Sequence, residues 1–173
     1  MSNLAVEKEN RNAEDQRKHK TSALAGKYLT FQLAHEEYGI AILKVVEIIK
    51  MMEITAVPRT PSFVRGVINL RGKVIPVVEL RSKFGMETIP DDDETCIIVV
   101  NARCSGGGVQ MGILVDTVSE VLDIAASEIE PSPQFGGSVD TKFILGMAKA
   151  KGTVKILLDI DRILSGDEIA DLI

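Results

Sequence analysis

Tryptophan is absent from this 173-residue chain, and aromatic residues in total reach only 4%. Sites that stack bases usually need exposed aromatic platforms, so that class is disfavoured, and the core has to be aliphatic. Basic charge is also in short supply. A net charge of −5 and a pI near 5.1 give no electrostatic footprint for nucleic acid, and no nucleic-acid partner is expected. Long apolar runs are missing as well. The longest, such as Cys96-Ile97-Ile98-Val99-Val100, fall far short of the roughly 18 residues a membrane span needs. No direct membrane insertion is expected, and the polar start "MSNLAVEKENRNAEDQRKHK" lacks the apolar stretch of a secretory signal, so the chain reads as cytoplasmic.

Cysteine and histidine are each present only twice. With residues 96–103 extended, Cys96 and Cys104 lie roughly 25 Å apart at ~3.3 Å per residue, so they do not pair with each other. His19 and His35 add no recognisable ligand spacing. No metal is expected.

What the chain does contain is Val, Ile and Leu in short segments. Residues 1–25 are polar, mixed in charge and aperiodic, and that composition predicts a disordered tail ahead of a single domain over residues 26–173. From Lys27 the pattern alternates: Leu29, Phe31 and Leu33 face one way, Tyr28, Thr30 and Gln32 the other. A polar turn at His35-Glu36-Glu37 makes residues 27–42 a hairpin. "ILKVVEIIKMME" fits a helical face at Ile42, Val45, Ile49 and Met52, yet its β-branched residues favour a strand, with room for one helical turn. Pro58 and Pro61 interrupt regular structure. Further strands follow at residues 95–103, over "VQMGILVDTVSEVLDI" as one bent strand or two, and as a hairpin around Lys151-Gly152. The end of the chain shifts to helical spacing at Ile160, Ile163 and Leu164, then Ile169 and Leu172. Short strands with frequent turns and a terminal helix predict an all-β barrel or sandwich.

Motifs for chemistry do not survive inspection. The stretch from Gly66 to Lys73 has five residues between its glycines and Val74 after the lysine, which does not meet the phosphate-loop spacing. Gly106-Gly107-Gly108 leads into β-branched residues and so closes a hairpin instead of opening a nucleotide-binding helix. Asp159 and Asp161 share a strand face, but at the strand-to-helix junction Asp161 reads as an N-cap. No nucleophile–base pair is suggested, so the chain is not expected to be an enzyme.

One charged residue stands out. In "FVRGVINLRGKVIPVVELR" two apolar runs flank Arg71-Gly72-Lys73, and Gly72 sits where a turn needs φ > 0, which puts the Arg71 guanidinium at a hairpin tip. There it is either a solubilising turn charge or a five-donor group offered to a partner.

Taken together, "EEYGIAILKVVEI", "VPRTPSFVRGVINLRGKVIPVVELR", "MGILVDTVSEVL" and "ILLDIDRIL" resemble CheW-type chemotaxis coupling proteins over residues 27–165. The resemblance implies two intertwined five-stranded SH3-like β-barrels with one shared hydrophobic centre and a short C-terminal helix. It implies a non-catalytic adaptor joining the cytoplasmic tip of methyl-accepting chemotaxis receptors to the regulatory domain of a CheA-type histidine kinase, in membrane-associated arrays and without a cofactor. Carried over residue by residue, the receptor-facing groove includes Val45, Glu47 and Ile48, with Gly112 and Val118. Arg71 lies near that surface and orients Glu47. The kinase-facing residues are not marked. The competing expectation is a small-ligand-binding β-barrel, which the low aromatic content disfavours.

Overall fold

The structure, a computed structural model, describes residues 2–104, 107–131 and 141–164. After helix α1 (Ser2–Leu24) come β1 (Gly26–Leu33), β2 (Glu36–Ala41), a 3-10 turn over Ile42–Lys44, β3 (Val45–Lys50), β4 (Val64–Leu70) and β5 (Lys73–Glu79). A single helical turn, α2 (Leu80–Lys83), leads to β6 (Cys96–Cys104), β7 (Gly107–Val115), β8 (Thr117–Ile124) and the two-residue β9 (Ile129–Glu130). The described chain ends with β10 (Ile144–Ala150), β11 (Thr153–Leu158) and the turn α3 (Ile160–Ile163). The ambiguous segment thus resolves into the helical turn and strand β3, and "VQMGILVDTVSEVLDI" into two strands. Ile169 and Leu172 lie outside the described residues.

The strands form two sheets, β8-β1-β2-β11-β10-β9 and β3-β6-β7-β5-β4. The chain starts in the first, crosses to the second after β2 and returns after β7, which is the expected intertwining. The sixth strand, β9, is a two-residue addition. Its counterpart in the other sheet is an isolated bridge between Thr55 and Val67 of β4.

The second sheet is a copy of the first. Both contain a hairpin (β1–β2; β6–β7), a parallel seam to a second hairpin (β2–β11; β7–β5) and an antiparallel edge strand (β8; β3). The sequence repeats accordingly. "YGIAILKVVEIIK" at 38–50 matches "MGILVDTVSEVLD" at 111–123, and "FVRGVINLRGKVIPVVELRSKF" at 63–84 matches "FILGMAKAKGTVKILLDIDRIL" at 143–164. Backbone details repeat too: Glu79 N donates to Phe63 O, and Asp159 N to Phe143 O, both at 2.8 Å.

Three apolar clusters hold this together. One is shared between the sheets and includes Phe31, Tyr38, Ile98, Met111 and Ile113. Each sheet also encloses its own, around Ile68, Val77 and Ile97 in the second and Tyr28, Ala148 and Leu157 in the first. Strand β1 is therefore covered on both faces, and Tyr28 and Thr30, expected to face outward, are buried. The few aromatics are concentrated in the shared centre, where the Phe31, Tyr38, Phe84 and Phe143 rings follow one another at 5.9, 6.0 and 6.3 Å. Such spacings suit aromatic contacts and let scarce rings fill the widest gap.

Within the segment expected as a tail, the structure has helix α1. Residues 2–24 lack an apolar stripe, as Leu4 and Val6 on the surface show, but they are rich in Ala, Glu, Lys, Arg and Gln, all good helix formers. The helix is anchored at its C-terminal end, where Leu24 packs on the first-sheet cluster and its carbonyl accepts the Tyr28 hydroxyl at 2.6 Å. The N-cap expectation is corrected. Asp159, not Asp161, caps α3 by accepting from Arg162 N.

Two ionic clasps tie the barrels at equivalent places. Arg81 of α2 binds Asp116, in the β7–β8 crossover, through Nε at 2.7 Å and Nη2 at 2.5 Å, and Asp116 also accepts Ala34 N from the β1–β2 turn at 2.8 Å. In the other clasp Asp161 of α3 accepts Lys44 Nζ from the β2–β3 crossover and Arg103 N from the end of β6, both at 2.8 Å. The charges are exchanged between the two, with the cation on the helix in one and the anion on it in the other.

Candidate functional site

The hairpin β4–β5 closes through Arg71-Gly72, both in the left-handed region with φ of 52° and 86°. Such a pair forms the turn that matches strand twist, so Arg71 as well as Gly72 has positive φ, where the sequence required it only of the glycine. Holding a residue with a Cβ in that region costs on the order of 1–2 kcal/mol. Two contacts offset the strain. Asn69 Oδ1 accepts Gly72 N at 2.9 Å, and the Arg71 guanidinium binds Glu47 of β3 with both arms, Nη1 to Oε1 at 2.7 Å and Nη2 to Oε2 at 2.8 Å. The parallel fork fixes the plane of the guanidinium.

Glu47 is in reach because β3 carries a bulge. Its register against β6 shifts between Val45 and Glu47, so Val46 is an extra residue. Val46 and Glu47 then line one shallow hollow of about 240 Å³ with Leu70, Arg71, Lys73 and Gln110. The hydrogen bonds from Arg71, together with its charge, hold the Glu47 carboxyl below the usual glutamate range, and the same bonds raise Arg71. The pair is therefore complete above the usual glutamate range and is lost as pH falls through the lowered folded-state value. In a carboxyl-carbon NMR titration the Glu47 midpoint is expected to move upward when Arg71 becomes alanine. An unchanged midpoint would show that the fork does not persist in solution.

The six expected site residues do not converge on one surface. Arg71 and Glu47 are joined. Ile48 is exposed on β3, and Val45 is half-buried against the shared centre. Val118 is Val45's counterpart in the repeat, packs against the same centre and belongs to the other barrel. Gly112 is buried at the β5–β7 seam, where an added Cβ would sit 2.7 Å from Ile97 Cγ2 and 3.3 Å from Val77 Cγ2. It offers no surface and sets the closeness of the seam instead. Val46, Leu70, Lys73 and Gln110 were missed. Only the bulge reveals Val46, and only the parallel β5–β7 pairing places Gln110 beside Lys73.

The Arg71 arrangement is repeated in the first sheet. Lys151-Gly152 closes β10–β11 with φ of 51° and 78°, and Lys151 Nζ binds Glu120 of β8 at 2.7 Å. Among the described residues, no group of three or more His, Cys, Asp or Glu is placed to hold a metal, and no helix is long and apolar enough to cross a membrane.

Comparison with known proteins agrees with this architecture. The family model described as "CheW-like domain" matches residues 27–168. The chain is 40% identical over 154 residues to the chemotaxis protein CheW of Klebsiella aerogenes, covering 86% of this chain and 90% of that one. It is 32% identical over 139 residues to the Bacillus subtilis chemotaxis protein CheW, covering 80% and 86%. Among solved structures, the scaffolding protein TtCheW from Thermoanaerobacter tengcongensis superposes with a TM-score of 0.74 at 36% identity, covering 83% of this chain and 95% of that chain.

Proposed function

The chain belongs to the CheW-like domain family and is a chemotaxis coupling adaptor, and from that premise we propose that it bridges the cytoplasmic tip of methyl-accepting chemotaxis receptors and the regulatory domain of a CheA-type histidine kinase. It does this without catalysis and without a cofactor, recruited from the cytoplasm to membrane-associated receptor arrays. The observation that carries the receptor side is the Arg71–Glu47 fork, an oriented cation on a rigid two-residue turn beside exposed Val46 and Ile48. Val45 backs that surface from the shared centre and Gly112 sets the seam beneath it, while Val118 packs against the same centre from the other barrel. Two modest contacts suit an adaptor, because binding one partner inside an array raises the effective concentration of the other. Barrel interiors occupied by aliphatic clusters favour this reading over a small-ligand barrel.

Purified protein is expected to bind both a receptor signalling-tip fragment and a CheA regulatory domain. Arg71→Ala or Glu47→Ala should weaken at least one of these by about tenfold, the scale of a single interface anchor, with little change in melting temperature. Wild-type protein that binds neither partner would sink the reading. Variants that fail to fold would return both residues to a structural role.

A further inference from the structure

The two sheets contain the same parallel seam, and they fill it differently. In the first sheet Lys155 of β11 is buried, with Nζ 2.8 Å from Glu37 of β2, and it also bonds the Ala150 carbonyl at 2.9 Å and the Thr153 hydroxyl. The seam is paired over Lys155–Leu157 against Glu37–Gly39. In the second sheet the positions of Lys155 and Glu37 are taken by Ile75 and Gln110, and Pro76 stands where Ile156 does. Proline has no N–H for a ladder. Pairing here is displaced by two residues, to Val77–Glu79 against Gly112–Leu114.

Ahead of the displaced pairing the strands part around a cleft of about 620 Å³, lined among others by Lys73, Val74, Pro76, Asn101, Val109 and Gln110. Val74 is 70% exposed and, with Val109 and Pro76, gives the cleft an apolar wall beside the Lys73 ammonium. No carboxylate lines the cleft, and Lys73 at its rim makes no ion pair among the described residues. Lys73 and Gln110 also line the hollow beside Arg71, so the cleft continues the surface offered to the receptor.

We propose that this cleft is a second anchoring point for the receptor tip, occupied by a segment that presents an aliphatic side chain beside a carboxylate. The aliphatic group packs on Val74 and Val109, and the carboxylate meets Lys73. The resulting pair is the counterpart of the internal Lys155–Glu37 bridge of the first sheet, with the cation drawn from Lys73 of this chain and the carboxylate and aliphatic group from the partner. The inference rests on the receptor reading given above.

The repeat provides its own control. Val154 is the counterpart of Val74, likewise exposed, on the sheet whose seam is already filled. With the full-length chain and a receptor signalling-tip fragment as probe, Val74→Asp is expected to weaken binding at least tenfold, and Val154→Asp to leave it unchanged. Lys73→Ala should weaken it less and flatten its salt dependence, since a partly exposed ion pair is screened by salt. Both aspartate variants alter exposed positions, so melting temperatures should match wild type. Equal binding by wild type and Val74→Asp overturns the cleft alone. Equal losses in Val74→Asp and Val154→Asp overturn it too, as a non-specific charge effect. Loss of kinase-domain binding in place of receptor binding overturns the assigned occupant. A wild-type chain that binds no receptor tip overturns the receptor reading and the cleft with it.

Discussion

Replacing Gly66 by alanine is expected to destabilise the fold by on the order of 4 kcal/mol or more, which is the exceptional end of single substitutions. Gly66 has a φ of 148°, and a Cβ built there would sit 2.1 Å from the Thr55 carbonyl oxygen and 2.8 Å from its carbon. Neither atom can swing away, because both are backbone. Thr55 is tied to Val67 by two hydrogen bonds, Thr55 N to Val67 O and Val67 N to Thr55 O, each 2.9 Å. An alanine therefore has to push the segment leaving β3 off the edge of β4 and break both bonds. Overpacking alone costs about 1–3 kcal/mol and the strained backbone about the same again. At about 4 kcal/mol, the middle of that sum, the melting temperature of a chain of this length falls by about 8–16 °C.

The repeat turns this into a comparison. Gly146 is the counterpart of Gly66, but its added Cβ would lie 3.0 Å from the Glu130 carbonyl oxygen and 3.2 Å from Ile129 Cγ2. A shift of a few tenths of an ångström relieves that contact, so Gly146→Ala should cost about 1–2 kcal/mol. Thermal unfolding of the two variants side by side checks both. A Gly66→Ala protein that melts within 2 °C of wild type would mean the close approach of β4 to Thr55 is not present in solution.

Much of the β-structure could be read directly from the chain, because alternation and turn chemistry are local. The β1–β2, β4–β5 and β10–β11 hairpins follow from polar or Gly-containing turns between apolar runs. Which strands pair across the two sheets is not local. Alternation orients a strand but does not name its neighbour, and the intertwining was accessible only through the family resemblance. The internal repeat is present in the sequence, at Gly39 and Gly112, Val45 and Val118, Glu47 and Glu120, but diluted by substitutions at the positions between them. Arg71 could be placed on its tip from the turn alone. Its fork to Glu47 spans 24 residues, and that contact follows from the bulge in β3, which no local rule marks. Asp161 failed as a cap for a similar reason. Two aspartates flank Ile160, and the choice between them is settled by Lys44, which lies 117 residues away in sequence.

The inter-barrel clasps carry the second large expectation. Asp116→Ala should destabilise the protein by about 2–4 kcal/mol, because it leaves a mostly buried guanidinium without its counter-charge. Arg81 and Asp116 side chains are 12% and 20% exposed, and the lost carboxylate also accepts Ala34 N, whose φ of 55° depends on that bond to hold the β1–β2 turn. Asp161→Ala should cost less, about 1 kcal/mol, since Lys44 and Asp161 are each 31% exposed and the freed ammonium can turn to water. The Asp161 clasp responds to acid. Burial on its own would raise the Asp161 carboxyl, but the bonds from Lys44 and the Arg103 N–H prevail and hold it below the usual aspartate range. Its contribution is therefore complete above that range and fades only as pH falls through the lowered folded-state value. Denaturant unfolding of wild type and Asp161→Asn should thus give curves that are separated near neutral pH and converge in acid. Curves that stay equally separated at every pH would assign the loss to the hydrogen bonds and not to the charge. Because each clasp joins a helix of one barrel to a hairpin end of the other, its removal acts on the join between barrels before it acts on either core. Asp116→Ala should accordingly loosen the shared centre around Phe31, Tyr38 and Phe84, and the first amides to lose hydrogen-exchange protection should be those of the β1–β2 turn.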